Sequence, residues 1–449
     1  MLVPHSMSGK KVGILGLGLS GMAAARALAA AGAGLWLHDD NTAPRGEVPA
    51  GAHLCGWQDW PWAELSSMVI SPGIPHAHPQ PHPAAARAAQ AGVEVISEIE
   101  IAMRAAPQAR IVAITGTNGK STTTALTGHC LRTAGRDVAV GGNIGDAACN
   151  LDDPGADGVI VLELSSYQLE TTPSLRADVA MLLNITPDHL ARHGGMDGYV
   201  AAKARILDAT GPDGLAVIGG GPRLARLADA RRKAGAPVTV IDPSDAPDAI
   251  KGVASLAGTH NAENAAAAAA GLAALGLSGD EIANGMASFG GLPHRLQTVA
   301  SHGGISFVND SKATNGVAAA RALAAFGNIY WIAGGEAKED GLGEAAVETV
   351  HVAHAYLIGS SAAAFAAELD GIVETSLSGD LETATTSAFA DASAAAGTDG
   401  RDATILLSPA AASFDQFTSF VARGDAFTEI ARRLAADAGA PAVQGGAHA

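Results

Sequence analysis

The sequence predicts three α/β domains in series: a Rossmann-like domain over 1–99, a central phosphate-loop ATPase-like domain on a parallel sheet over 100–298, and a second Rossmann-like domain over 299–449. Three observations predict it. Short apolar runs alternate along the whole chain with alanine-rich segments of helical character, the pattern of repeated βαβ units. A length of 449 residues exceeds what one core can organise, and about three domains is the natural division. Two of the apolar runs end in glycine-rich turns, at 16–21 and 116–119, each followed by a helical segment.

The first domain opens with Lys11-Val12-Gly13-Ile14-Leu15, which reads as a strand, and then Gly16-Leu17-Gly18-Leu19-Ser20-Gly21. This is a G-x-G-x-x-G turn entering a helix, and a second strand, Leu35-Trp36-Leu37, ends at His38-Asp39-Asp40. An acidic residue roughly twenty positions after the turn completes the dinucleotide fingerprint. Such glycines admit a diphosphate to the backbone without specifying nicotinamide. Two readings follow: an NAD-dependent dehydrogenase, or a half-domain holding another diphosphate compound. Met68-Val69-Ile70 then runs into Ser71-Pro72-Gly73-Ile74-Pro75, a turn at a strand's carboxyl end, where open α/β sheets bind ligands. Val93–Ile96 is the last short strand before the boundary.

The central domain begins with Ile111-Val112-Ala113-Ile114, a buried strand of a parallel sheet, followed by Thr115-Gly116-Thr117-Asn118-Gly119-Lys120-Ser121-Thr122-Thr123. Small residues let backbone N–H groups close on phosphate oxygens, and the helix that follows adds its dipole. Lys120 would reach the outer phosphates, and the hydroxyl of Ser121 or Thr122 would face Mg2+. The usual motif has glycine where this chain has Ile114, so the loop is a variant. Further strands end at Gly141-Gly142-Asn143, at Glu163, and at Asn184-Ile185-Thr186-Pro187-Asp188-His189. A carboxylate at the end of an apolar strand is costly to bury without a cation, so Glu163 is a candidate metal-side acid. Polar residues at several successive strand ends converge on one edge of a sheet, and that convergence carries the site argument. The helix Tyr199–Leu207 bears Lys203 among small residues; on composition alone that lysine is solvated. Thr259-His260-Asn261-Ala262-Glu263-Asn264 precedes an alanine-rich helix, and its amides could read a base or cap the helix.

After Gly291-Leu292-Pro293-His294-Arg295, strands at Ile305–Val308, Ile329–Ala333, Tyr356–Ile358 and Ile405–Leu407 alternate with helical patterns. They precede Asn309-Asp310-Ser311-Lys312-Ala313-Thr314-Asn315, Gly334-Gly335-Glu336-Ala337-Lys338, Gly359-Ser360 and Ser408–Phe417. An aperiodic tail is expected from about Gly439.

Composition narrows the partners. A net charge of −17 argues against a nucleic-acid surface, and 48% hydrophobic with 16% charged residues describes a folded protein. No apolar run reaches the ~18 residues of a membrane span. Cys55, Cys130 and Cys149 have no metal-type spacing and are too few for a disulfide framework. A cytoplasmic, monomeric protein is the expectation.

Taken together and in this order, the segments at 71–74, 115–122, 141–145, 163–170, 188–189, 291–295, 309–315 and 413–417 resemble the Mur ligases, the ATP-dependent amino-acid-adding enzymes of peptidoglycan synthesis. The last two point, within that family, to addition of D-glutamate to UDP-N-acetylmuramoyl-L-alanine. The resemblance implies ATP and Mg2+, and an acyl phosphate that the amino acid's amine attacks. It implies that Thr117, Asn118, Gly119, Lys120, Ser121, Thr122, Thr123, Asn264, Arg295 and Asp310 bind ATP. Ser121 or Thr122 with Glu163 would hold one Mg2+, and His189 with Lys203, as its carbamate, would serve a second. The catalytic set is then Lys120, Asn143, His189 and Lys203. Gly18, Ser20, Asp39, Ser71, Gly73 and Asn143 would lie along the UDP-sugar, and Lys312, Thr314, Lys338, Ser413, Phe414 and Phe420 around the glutamate. The chain departs from common family residues at Asp40-Asn41, where some members have Thr-Arg, at Tyr167 and at Phe414. Competing readings are a related ligase of the folylpolyglutamate synthase type, the dehydrogenase, and a non-catalytic nucleotide-binding protein.

Overall fold

The computed structural model describes residues 1–40, 44, 46–337, 341–399 and 401–439. These form two compact units that divide between Phe289 and Gly290.

The first unit contains two parallel sheets. One is made of β1 (Lys11–Leu15), β2 (Gly34–His38), β3 (His53–Leu54), β4 (Leu65–Ile70) and β5 (Glu94–Ile96), in the order β3-β2-β1-β4-β5. The strand order reverses between β1 and β4, and their carboxyl ends deliver Gly16 and Ser71 side by side: Ser71 Oγ donates to Gly16 O at 3.1 Å. The other is made of β6 (Arg110–Thr115), β7 (Val138–Gly142), β8 (Val159–Glu163), β9 (Ala177–Leu182), β10 (Thr210–Ile218) and β11 (Val238–Val240), ordered β11-β10-β9-β6-β8-β7. Because β6 pairs in parallel with both β8 and β9, and β7 with β8, the turns after these four strands share one edge. That edge collects the phosphate loop, Asn143, Glu163 and the segment Asn184–His189.

The strands sit where they do because both faces are apolar. Along β6, Ile111 and Ala113 enter one core while Val112 and Ile114 enter another, the period-two alternation of a strand covered on both sides. The first of these cores also takes in Val12, Ile14 and Leu37 of the first sheet, so one apolar body joins the two sheets. Fully burying each such aliphatic side chain stabilises by about 1.5–3 kcal/mol.

The second unit contains β12 (Gln297–His302), β13 (Ile305–Asn309), β14 (Ile329–Gly334), β15 (Val352–Ile358), β16 (Thr375–Gly379) and β17 (Ala403–Leu407), ordered β12-β13-β17-β14-β15-β16. β12 is antiparallel to β13, and the remaining pairings are parallel. Strands β3, β11, β12 and β16 have no apolar run to announce them. Each is an edge strand, so one flank lies open and the demand for apolar residues is weak.

The alanine-rich segment is the helix Thr259–Ala274, packed through Ala265–Ala268 and Leu272. Among the described residues no helix is long and apolar enough to cross a membrane. The tail expected from about Gly439 lies almost wholly outside the described residues.

Candidate active site

The loop after β6 is held in shape by its neighbours. Gly119 has φ +82°, and a Cβ there would lie 2.1 Å from Asn264 Oδ1, so only glycine fits. Asn184, past the end of β9, clamps the other side: Asn118 N–H donates to its Oδ1 at 2.9 Å, and its Nδ2 donates to Asn118 O at 3.1 Å. Thr117 Oγ1 shares a hydrogen bond with Tyr199 Oη at 3.1 Å and accepts from Thr186 N–H at 3.0 Å. The helix Lys120–Thr133 starts with no side-chain cap, which leaves first-turn N–H groups for an anion. Ser121 is half-buried at that start; Thr122 is buried, and Thr123 is buried with Oγ1 donating to Gly119 O.

Two lysines converge on this loop. Lys120 Nζ donates to Gly116 O at 2.9 Å and to Thr117 O at 2.8 Å, and Lys203 Nζ donates to the same Gly116 O at 2.8 Å. Lys203 is only 2% exposed, contrary to its composition-based reading, because its helix, Met196–Asp208, turns it inward under the loop. Burial first, and the Lys120 charge second, push its pKa down to about 7. His189 adopts φ +50° at the start of a short 3-10 turn, with Nδ1 3.5 Å from Asp188 Oδ1. Burial lowers its pKa against the opposing pull of Asp188, and His193, Lys203 and Lys120 add to the lowering. Lys120, His189 and Lys203 therefore share one electrostatic neighbourhood.

Glu163 ends β8 and is 2% exposed. Its Oε1 accepts from Asn143 Nδ2 at 2.8 Å, while its Oε2 is buried with no hydrogen-bond partner. An orphaned carboxylate oxygen is expensive unless a cation joins it. Among the described residues no group of three His, Cys, Asp or Glu forms a metal cage. Mg2+ bound through substrate phosphates and water needs only one or two protein carboxylates. The Glu163 oxygen with the hydroxyls of Ser121 and Thr122 fits that type of site.

On the first sheet the glycines divide the work. A Cβ at Gly16 would lie 2.5 Å from Ser71 Oγ and one at Gly21 would lie 1.8 Å from Gly16 O, so both serve packing. Gly18 has open space before it and begins the helix Leu19–Ala30 without a side-chain cap. Ser20 lies in that first turn, and Asp39 Oδ2 accepts Leu17 N–H at 2.6 Å, fixing the turn. Gly73 is exposed beside Ser71. Asp40 bonds His38 Nε2 at 2.8 Å and His82 Nε2 at 2.7 Å; Asn41 lies outside the described residues.

In the second unit, Asp310 is buried, accepts from Ser408 Oγ at 2.9 Å, and is pushed up to about 7 by that burial, against the pull of Arg295. Lys312 Nζ lies 4.2 Å from the centre of the Phe420 ring, and the Thr314 N–H bonds Lys312 O. Ser413 is buried and Phe414 is 70% exposed. Lys338 lies outside the described residues. Arg423, 1% exposed, ties these loops together: it donates to the carbonyls of Ser311, Gly334, Ala411 and Ala412 and to Ser311 Oγ.

Comparison with known proteins agrees with this layout. Residues 114–254 match the Mur ligase middle domain and residues 10–97 match the Mur ligase MurD-like N-terminal domain. The chain is 45% identical over 444 residues to UDP-N-acetylmuramoylalanine--D-glutamate ligase of Paramagnetospirillum magneticum, covering 94% of this chain and 96% of that one. The chain belongs to the Mur ligase family. It is also 43% identical to the enzyme of the same name from Caulobacter vibrioides, over 99% of this chain and all of that one. At the level of fold, this Mur ligase superposes on the UDP-N-acetylmuramate-alanine ligase of Thermotoga maritima with TM-score 0.57 and 16% identity, covering 93% of this chain and 98% of that one.

Asn184 stands in a strand-end segment that the sequence marks, but its clamp on the loop shows only in the fold. Tyr199 and Arg423 carry no motif of their own, and only their burial against the loops gives them away.

Proposed function

We propose that the chain joins the amine of D-glutamate to the carboxylate of UDP-N-acetylmuramoyl-L-alanine, using ATP, in the synthesis of peptidoglycan precursor. The observation that carries this reading is the pairing of Lys120 and Lys203 on the Gly116 carbonyl beside the unpaired Oε2 of Glu163. Three anions must meet for the reaction, and this is where cations and N–H groups are concentrated.

The substrate carboxylate oxygen attacks the γ-phosphorus of ATP and ADP leaves, giving an acyl phosphate. The glutamate amine then attacks the acyl carbon, the amide C–N bond forms, phosphate departs with the acyl C–O bond, and the amine gives up a proton. Lys120 and the N–H groups at the start of its helix hold the transferring phosphoryl group. Asn143, anchored on Glu163, orients the substrate carboxylate. Mg2+, held by Glu163 and the hydroxyls of Ser121 or Thr122, supplies charge neutralisation when bound. His189 would serve a second metal position. Lys203 would join it as its carbamate, because an amine whose pKa is lowered to about 7 has a substantial neutral fraction at that pH, and the neutral form can add CO2 and release a proton, becoming an anionic ligand.

A cavity of about 590 Å3 beside Gly258, Thr259 and Ala262 offers room for a nucleobase. Arg295 and Asp310 are the further residues assigned to ATP, while Gly18, Ser20, Asp39, Ser71 and Gly73 take the UDP-sugar. Lys312, Thr314, Lys338, Ser413, Phe414 and Phe420 receive the two glutamate carboxylates. The working division is 1–99, 100–298 and 299–449, acting as a cytoplasmic monomer.

The test is phosphate release with UDP-N-acetylmuramoyl-L-alanine and either enantiomer of glutamate. Release that depends on both the UDP-sugar and the D-enantiomer is expected. Release indifferent to the enantiomer, or proceeding without the UDP-sugar, would count against the assignment.

A further inference from the structure

A line of buried and half-buried polar and aromatic side chains runs through the first unit, between the Ser71–His76 loop after β4 and the phosphate loop. His76 Nε2 lies 3.8 Å from Glu170 Oε2. Glu170 Oε1 takes a hydrogen bond from His193 Nδ1 at 3.0 Å, and His193 Nε2 meets Ser166 Oγ at 2.9 Å. Nδ1 gives its hydrogen to the carboxylate, and Nε2 shares a hydrogen bond with the serine hydroxyl. The His193 ring is stacked on Tyr167 at 5.4 Å and lies 5.3 Å from the ring of Tyr199. Tyr199 in turn meets Thr117 Oγ1 at 3.1 Å. Beside this line, the Arg192 guanidinium covers Tyr167 at 4.9 Å and donates from Nη2 to Ile74 O at 3.0 Å.

Carboxylate, imidazole and hydroxyl in series are the elements that activate a serine nucleophile elsewhere. That use fails here: Ser166 is 3% exposed, opens the helix Ser166–Glu170, and no acyl group can reach it. A pure stability device is also a poor account. Arg192 keeps Nε and Nη1 buried without a hydrogen bond, and Glu170 Oε2 accepts none either, with only His76 Nε2 approaching it at 3.8 Å. Each unpaired buried group costs about 1–3 kcal/mol. What the line does join is the loop bearing Ser71 and Gly73 to the loop bearing Thr117 and Lys120.

We propose that His193 is a positioning residue: it is the centre of a strut that sets the spacing between the UDP-sugar loop and the phosphate loop. This rests on the functional reading above. Each loop keeps its own anchors without the strut. Ser71 is tied to Leu15 O and Gly16 O, and Thr117 and Asn118 are tied to Asn184 and Thr186. The strut therefore governs how the two substrates meet rather than whether each binds, and misplacement by about 1 Å can cost about 10²-fold in rate.

The experiment compares wild type, His193→Phe, Tyr199→Phe, their double mutant and Glu170→Gln in the D-glutamate-dependent phosphate-release assay. For His193→Phe, kcat should fall about 10- to 100-fold, with KM for ATP and for the UDP-sugar within about threefold of wild type. Glu170→Gln, which keeps size and removes charge, should show the same split with a smaller loss. The double mutant should lose clearly less than the product of the single losses, because both changes cut one strut. Unchanged kcat in His193→Phe and Glu170→Gln, or a rise confined to the two KM values, would overturn the proposal. If His193→Phe does not fold, Glu170→Gln decides by the same criteria. A silent wild-type enzyme would instead overturn the functional reading, and with it the reaction that the strut serves.

Discussion

The turn at 16–21 and the turn at 116–119 are built alike and equipped differently. Each leaves the central strand of a parallel sheet, passes through glycines and enters a helix with no side-chain cap. At the first, the fixed neighbours are Asp39 and the Ser71 hydroxyl, and no lysine follows the turn. At the second, Lys120 and Lys203 share a carbonyl and Glu163 waits with one oxygen unpaired. Uncapped N–H groups alone suffice to cradle a diphosphate that only has to be held. A phosphoryl group that has to move needs mobile charge neutralised around it, and the lysines and carboxylate at the second turn suit that task.

Breaking the two turns in parallel should separate holding from reacting. Lys120→Ala should cut kcat for phosphate release by about 10³-fold, whereas Ser20→Ala, at the matching place in the first turn, should act mainly through KM for the UDP-sugar and by less than about tenfold. Comparable losses at the two positions would remove the distinction.

Lys203→Ala should cost about 10²-fold and be partly restored by added short carboxylates such as propionate, which replace the anionic ligand. Lack of rescue in steady-state assays would leave Lys203 as a buried cation only. The same residue gives a pH signature in stability. Its folded pKa of about 7 lies below the ordinary lysine value of 10.5, so the unfolded chain binds more protons between these values. Stability should therefore rise with pH from about 7 towards 10.5, and Lys203→Met should flatten that rise in urea titrations.

The glycines sharpen the contrast at smaller scale. Gly119→Ala meets both a positive φ and Asn264 Oδ1, and should raise KM for ATP about tenfold while lowering Tm by several degrees. Gly18→Ala meets open space at φ −73° and should leave Tm within about two degrees, with its effect confined to the UDP-sugar.

The smallest effect concerns the seam between the two sheets. Glu98 is pushed up to about 7 by burial, so between pH 4.5 and 7 the folded chain holds a proton the unfolded chain has lost. Stability from this group should fall as pH rises through that window, by roughly 3 kcal/mol at most, and Glu98→Gln should remove the slope. A slope that persists in Glu98→Gln would assign it to other carboxyls, Asp310 first among them, since burial raises it to about the same value.

Much of the fold was legible because local signals and global demands agree in the central strands. Val112 and Ile114 on one face and Ile111 and Ala113 on the other can only belong to a strand covered twice, and glycines at 16, 18, 116 and 119 announce the turns that follow. Edge strands such as β3 and β16 were not legible, since an open flank places no apolar demand on sequence. The order of polar strand ends also told which edge of the middle sheet would gather these polar residues, because parallel strands put all their carboxyl ends together.

What the sequence could not decide was the environment of each polar group. Lys203 reads as a surface lysine, and only the packing of its helix under the phosphate loop buries it and lowers its pKa. His193 and Glu170 are distant in sequence and unremarkable in composition, yet they meet at 3.0 Å. The physical reason is the same in both cases. Strand and turn are set by neighbours along the chain, whereas desolvation and pairing are set by neighbours across space, which tertiary structure alone supplies.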